Sequence, residues 1–272
     1  MAATVYLDAE FLEEDQARIP ATDPALAWGV GVFEVARAYN GRAFQLPAHL
    51  ARLRRSAEYF GLPAEVPDLD SVVRELLRRN RLSGGYTRIT LTGGGHLIVV
   101  VQAWTAPSAE LYVDGAALSV APFRRDSGAP LSGHKTLNYL ENMRTRWEAE
   151  KHGVLDALVL DFDDRVLEGT RCNIFAVEGS KLMTPPISQG ILPGVTRGVV
   201  INLARRSGLE VEEISLGLER LLDTEEVFVT STMMEVVPVV RIGKAMLPGP
   251  GPVTLSLARA YKQRVIEECG GY

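Results

Sequence analysis

Lys135 stands in the stretch SGHKTLNYLENM, residues 132–143, between a histidine and a threonine and ahead of a run with helical spacing. A cation at a helix start opposes the macrodipole, which favours negative charge at that end. The spacing of Leu137, Leu140 and Trp147 predicts a helix, with Tyr139 one turn past the lysine, so both side chains are expected to reach one site. A lysine partly withdrawn from water becomes a nucleophile toward aldehydes. The chemistry this position offers is Schiff-base formation, set against the commoner role of a solvated surface amine.

If that aldehyde belongs to pyridoxal phosphate, the chain must also supply a phosphate cradle, an acid for the ring nitrogen and a partner for the ring hydroxyl. Glu168, in VLEGTRCNIF, falls mid-strand with Val166 and Thr170 on its face. A carboxylate beside a pyridine nitrogen keeps it protonated and turns the ring into an electron sink. The segment GILPGVTRG sets Val195 and Thr196 at a helix start, where unpaired N–H groups and the dipole favour an anion. Arg52 in HLARL adds positive charge with bidentate geometry, and Thr232 after VFVTS adds a hydroxyl. Arg88 in YTRITLTGGG, with Tyr86 two residues away on the same strand face, reads as a clamp on a substrate carboxylate. Each residue has a purely structural alternative: a solvated strand glutamate, a helix cap, a surface arginine, an edge-strand arginine. As a set they are mutually consistent.

The elements that must position these residues are partly legible. VGVFEVARAYNGRAFQL predicts two strands about an Asn40-Gly41 hairpin turn, and PAHLARLRRSAEYFGL a helix with Leu50, Leu53, Ala57 and Phe60 on one face, stopped by Gly61. LDSVVRELLRRNRL is a second amphipathic helix. SGGYTRITLTGGGHLIVVVQAW reads as two strands joined at Gly93-Gly94-Gly95, a run with no GK[ST] and no following helix to make it a phosphate loop. Small, polar and proline residues at 105–110 suggest a linker between a small α+β domain at 1–104 and a larger one at 111–272. In the latter, DALVLDFDDRVLEGTRCNIFAVEGSKLMTP predicts three or four short strands with turns at Asp163-Asp164 and Gly179-Ser180. Helices follow from Pro193-Gly194 to Gly208 and at LARAYKQRVIEEC, with a strand EEVFVTS between them. Strands clustered apart from helices indicate an α+β fold.

The chain of 272 residues is 46% hydrophobic and 23% charged, the profile of a globular protein. A net charge of -5 gives no basic excess for a phosphate backbone, so small-molecule partners are expected and nucleic acid is not. No apolar run is long enough to span a bilayer, and the start has no basic leader or apolar signal core, which leads to an expectation of a cytoplasmic protein without a membrane partner. Cys172 and Cys269 form no CxxC pair, and the scattered histidines give no metal-ligand spacing.

The ordered set WGVGVFEVARAYNG, HLARLRRS, HKTLNYLENM, LEGTRCNIF, ILPGVTRG and TSTMMEVVPV resembles the class IV aminotransferases, the fold-type IV pyridoxal-phosphate enzymes. That group includes branched-chain aminotransferase, D-amino-acid aminotransferase and aminodeoxychorismate lyase. The resemblance implies a small α+β domain and a larger domain with a pseudo-barrel core, assembled as a homodimer. It implies that Lys135 is the catalytic lysine, that Glu168 partners the pyridine nitrogen and Tyr139 the ring hydroxyl, and that Arg52, Val195, Thr196 and Thr232 hold the phosphate of pyridoxal 5'-phosphate. Asn173 matches the family's asparagine near the cofactor, and Trp28, Phe33, Arg37, Tyr86, Arg88 and Met233 would line the substrate pocket. Where many members read D-R-G-x-x-Y-G-D-G this chain has DPALAWGVG, with Pro24, Trp28 and Val30 in place of arginine, tyrosine and aspartate. The bulk of Trp28 is expected to narrow that pocket. Tyr86 with Arg88 resembles the Tyr-x-Arg pair of branched-chain members, so the implied reaction is transamination of a branched-chain or related L-amino acid with a 2-keto acid such as 2-oxoglutarate. Release of 4-aminobenzoate and pyruvate by a lyase, or transamination of D-amino acids, is the alternative.

Overall fold

A computed structural model describes residues 3–63 and 66–272 of the chain. They form two compact units: one takes residues up to Thr105 with 134–138 and 264–272, the other Ala106–Gly133 and Tyr139–Gln263. The division differs from a single break at 105–110. Residues 134–138 join the first unit because Thr136 bridges Val32, and the C-terminal residues join it because Glu268 accepts from Gln45. Residues 109 and 110, expected in a linker, open a short helix.

The first unit holds β1 (Thr4–Leu7), β2 (Glu10–Glu13), α1 (Pro24–Trp28), β3 (Gly31–Tyr39), β4 (Arg42–Ala43), α2 (Leu46–Tyr59), α3 (Asp70–Arg79), β5 (Gly85–Thr92) and β6 (Leu97–Gln102). Its sheet runs β2-β1-β6-β5-β3-β4. The β3–β4 hairpin turns at Asn40 and Gly41, both in the left-handed region that a type I′ turn needs. Period-two alternation then sorts the strands. Val32, Ala36, Ala38, Ile89 and Leu91 pack with Leu50 and Leu53 of α2 and Val73, Leu76 and Leu77 of α3. The opposite face carries Phe33, Val35 and Arg37 beside their register partners Thr90, Arg88 and Tyr86. After α2, Leu62 donates to Ala57 and Gly61 to Glu58, the paired bonds of a glycine C-cap.

The second unit holds α4 (Ala109–Val113), β7 (Ala116–Arg125), α5 (Leu140–Lys151), β8 (Asp156–Asp161), β9 (Val166–Gly169), β10 (Asn173–Glu178), β11 (Lys181–Thr184), α6 (Val195–Arg206), β12 (Glu210–Glu213), α7 (Leu218–Leu222), β13 (Glu226–Ser231), β14 (Glu235–Ile242), β15 (Ala245–Met246) and α8 (Pro252–Cys269), whose last residues count with the first unit. Its mixed sheet runs β12-β11-β10-β13-β14-β7-β8-β9, with β15 paired to β14. Only residues 170–172 link β9 to β10, a reach of about 14 Å. Laid flat, five strand spacings would separate those two strands by about 24 Å. The sheet must therefore curl until β9 approaches β10, giving the half-barrel of an α+β fold. Leu118, Leu158, Ile174, Val229 and Val237 fill the concavity.

Both cysteines are buried; burial pushes the Cys172 thiol well up and that of Cys269 to about 11. Among the described residues no group of three or more histidine, cysteine, aspartate or glutamate side chains is set to hold a metal, and no helix is long and apolar enough to cross a membrane.

Candidate active site

Lys135 is not on a helix. The helix α5 starts at Leu140, and Lys135 lies in an extended segment that adds itself to the edge of β3. Phe33 donates its N–H to the Lys135 carbonyl at 2.9 Å and Leu137 donates to Gly31 at 2.9 Å. These backbone bonds outweigh the local helical pattern. The expected apolar face does not form: Leu137 lies outside the helix, and Leu140 and Trp147 within it are exposed. A Cβ on Gly31 would stand 2.7 Å from the Leu91 carbonyl oxygen of β5 and 2.6 Å from Leu137 Cδ1, so glycine there fits β3 between β5 and this segment. On the preceding residue, the His134 ring stacks on Tyr59 at 4.4 Å and its Nδ1 lies 3.0 Å from Ser56 Oγ, tying the segment to α2. Burial, then the Arg55 charge, lowers the His134 pKa, so the ring is neutral.

From this support Lys135 Nζ reaches 4.6 Å from the centre of the Phe33 ring, and Arg88 Cζ lies 3.9 Å from the same ring. Arg88 is on β5, an inner strand rather than an edge, and gives Nε to Thr90 Oγ1 at 3.2 Å. Arg37, opposite Tyr86, is 3.9 Å from the Trp104 ring and 4.4 Å from Tyr39. One face of the sheet thus gathers an amine, two guanidinium groups and aromatic rings, an arrangement suited to an anionic substrate. Trp28, expected to narrow a pocket, ends α1 with 73% of its surface exposed.

On the helix side of β3, Arg52 is buried and gives Nε to Glu34 Oε1 at 2.6 Å and Nη2 to Glu34 Oε2 at 2.7 Å. His49 Nδ1 lies 2.8 Å from the same Oε2. Burial raises the Glu34 pKa, but the Arg52 charge and the bonds from Arg52 and His49 outweigh it and hold the carboxyl at about 2. Glu34 and His49 carried no signal in the sequence, because their role arises only when α2 packs on β3.

In the second unit, Glu168 is buried and accepts on both oxygens. Arg125 Nη1 bonds Oε1 at 2.8 Å, while Oε2 receives the Leu192 N–H at 3.0 Å and the Asn173 amide at 3.3 Å. Arg125 was not anticipated from sequence. Tyr139 caps α5, and its hydroxyl donates to the Thr170 carbonyl at 3.0 Å. Asp156 organises that turn, accepting from Thr170 Oγ1 and from the N–H groups of Thr170 and Arg171.

Val195 and Thr196 occupy the first turn of α6, whose N-terminus has no capping side chain. Thr230, paired in register with Asn173, has a buried Oγ1 with no hydrogen-bond partner, and Thr232 and Met233 follow in the half-buried β13–β14 turn. An uncapped helix start and an orphaned hydroxyl are donors awaiting an acceptor, which fits a phosphate ester. A carboxylate already fixed by a guanidinium and an N–H fits a pyridine nitrogen. The donor set therefore fits pyridoxal phosphate.

The sequence profile of the family described as amino-transferase class IV matches residues 31–242. A Methanocaldococcus jannaschii protein provisionally named a branched-chain-amino-acid aminotransferase is 36% identical, the match covering 95% of this chain and 95% of the relative. Among solved structures, the branched-chain aminotransferase of Thermoproteus uzoniensis with norvaline has a TM-score of 0.89 at 30% identity, covering 99% of this chain and 96% of that one. The branched-chain amino acid aminotransferase of T.th. with pyridoxamine 5'-phosphate has a TM-score of 0.85 at 28% identity, covering 96% and 93%.

Proposed function

The chain belongs to the class IV aminotransferase family, and from that premise we propose that it transfers an amino group between a branched-chain or related L-amino acid and a 2-keto acid such as 2-oxoglutarate, with pyridoxal phosphate as cofactor. The observation that carries the reading is Lys135, held by backbone bonds to β3 with its amine over Phe33, the ring that Arg88 also meets. The relatives named for branched-chain substrates and for the phosphorylated cofactor support the finer choice.

When bound, pyridoxal phosphate supplies an electron sink for the charge that develops at the substrate Cα. Lys135 Nζ would hold it at its aldehyde carbon and, as a free amine, would move the proton at the substrate Cα. Glu168, oriented by Arg125 and the Leu192 N–H, holds a proton at the ring nitrogen. The N–H groups of Val195 and Thr196, the Thr232 hydroxyl and Arg52 hold the phosphate, and Asn173 steadies Glu168. Tyr139 serves the ring hydroxyl once its bond to Thr170 is exchanged. Tyr86 and Arg88 hold the substrate carboxylate, with Phe33, Arg37, Trp28 and Met233 around the rest of the molecule. A second copy of the chain is the expected partner, supported by Leu26 and Trp28 exposed together on α1.

Purified protein incubated with the cofactor should turn yellow, and borohydride reduction followed by peptide mapping should place a pyridoxyl group on Lys135. Labelling of another lysine, or no uptake, overturns the assignment. Leucine with 2-oxoglutarate should yield glutamate; pyruvate released from aminodeoxychorismate, without glutamate formation, would make the enzyme a lyase. Light scattering on the eluting protein reads the dimer.

A further inference from the structure

On the premise that Arg52 meets the cofactor phosphate, we infer that Glu34 and His49 are positioning residues that aim its guanidinium at that phosphate. Glu34 is fully buried in the middle of β3, on the face that otherwise presents Val32, Ala36 and Ala38 to α2 and α3. His49 and Arg52 are three residues apart on α2 and meet it from one side of that helix.

Packing does not explain the arrangement. A buried ion pair recovers little more than its own desolvation, and apolar side chains of similar volume stabilise such a position at least as well. What the three polar groups provide is orientation. Two parallel bonds from Nε and Nη2 to the two carboxylate oxygens lock the plane of the guanidinium. The third bond, at Oε2, fixes the carboxylate in turn. Burial keeps the His49 ring neutral, so with Glu34 ionised its Nδ1 carries the hydrogen, and the cluster has one acid and one cation.

The strand also sets a register. Glu34 follows Phe33, whose N–H holds the Lys135 carbonyl, so one short stretch of β3 fixes both the guanidinium and the amine. A cofactor anchored at its aldehyde carbon by Lys135 has its phosphate at a fixed distance from that carbon. A strand that indexes both ends is what such a ligand needs, and a mobile arginine would forfeit the match.

The test compares binding of pyridoxal phosphate with binding of pyridoxal, which lacks the phosphate, to the cofactor-stripped full chain. Variants are Arg52→Met, Glu34→Gln and His49→Phe, the last keeping a ring of similar volume while removing the donor to Glu34 Oε2. Arg52→Met should cut the preference for the phosphorylated ligand. Glu34→Gln and His49→Phe should each cut it about tenfold or more, while the pyridoxal Kd moves less than about twofold, and should shift the 31P resonance of the bound cofactor. A purely structural role would weaken both ligands together. If Arg52→Met lowers the preference and the other two do not, positioning is overturned and the phosphate role of Arg52 stands. If Arg52→Met leaves the preference unchanged, the phosphate assignment itself falls, and the inference with it. Should Glu34→Gln fail to give a folded circular-dichroism spectrum, His49→Phe alone decides.

Discussion

Arg125 spans two partners, giving Nη1 to Glu168 Oε1 at 2.8 Å and Nη2 to Asn142 Oδ1 at 2.9 Å. It thereby couples the end of β7 to the carboxylate on β9 and to the first turn of α5. A charge-assisted bond of this kind contributes about 1.5–3 kcal/mol. Arg125→Gln keeps a hydrogen-bond donor but removes the charge that faces Glu168. Transamination by the variant should fall about 10- to 100-fold, with the labelled lysine unchanged, because Lys135 and its backbone bonds are untouched. Single-turnover rates with leucine read the effect. A rate within about twofold of the parent would show that the Leu192 N–H and Asn173 suffice to hold Glu168.

Gly194 precedes α6 with an ordinary φ of -61°, so its need for glycine is steric. A Cβ there would stand 1.9 Å from Asn173 Oδ1 and 3.2 Å from Arg197 Cβ. Gly194→Ala must push Asn173 off both the Leu192 carbonyl and Glu168, and overpacking of this kind costs about 1–3 kcal/mol. Gly198, one turn along the same helix, has no atom within 4 Å of its Cβ position, and Gly198→Ala should stabilise by about 0.5–1 kcal/mol. Urea midpoints of the two variants should move in opposite directions. A neutral Gly194→Ala would mean that Asn173 is not held where the structure has it.

Acid should lower the stability of the protein over two pH windows. The His49 pKa is lowered by burial, with Arg52 and Lys135 adding to the shift against the pull of Glu34, so below pH 6.5 the unfolded chain takes up a proton that the folded chain refuses. Stability is then fully present above about pH 6.5 and falls with pH by up to about 1.4 kcal/mol per unit for that group. Glu34, held at about 2 against an ordinary 4.5, contributes stability that is present above 4.5 and is lost as pH falls through 2, a window shared with the lowered Asp23 and Asp161. Urea midpoints from pH 7 to pH 5 should therefore decline, and His49→Asn should flatten the decline, leaving the smaller share of His134. An equal slope in the variant would count against a neutral buried His49.

The identity of the chemical groups was legible in the sequence because lysine, glutamate and a helix start have intrinsic reactivity or polarity that a short motif displays. Their supports were not. The local pattern around Lys135 favours a helix, and only the unpaired edge of β3 draws it into an extended bridge. Two inner strands of the large sheet were equally hidden: β7 ends in Phe123, Arg124 and Arg125, and β14 contains Pro238, which lies opposite Phe228 before the pairing with β7 begins at Val239. Glu34 reads as one more polar residue in an alternating strand until α2 brings His49 and Arg52 onto it. Arg37, expected against substrate, is held among Trp104, Tyr39 and Tyr272, which no spacing along the chain could reveal.

Arg88 offers the sharpest test of substrate recognition, because two roles compete for it. Its guanidinium lies 3.9 Å from the Phe33 ring centre and its Nε bonds Thr90, so it could serve only to pack the face of the sheet. As a carboxylate clamp it presents a planar fork, which lysine cannot reproduce. Arg88→Ala should lower kcat/KM for leucine by about two orders of magnitude, the loss of two charge-assisted bonds. An alkylamine without a carboxylate should lose less than about threefold, since it never uses the clamp. Arg88→Lys should recover charge but not geometry, and fall between. Equal losses for the amino acid and the amine would assign Arg88 to holding Phe33 beneath Lys135, and the carboxylate would then have to be met elsewhere.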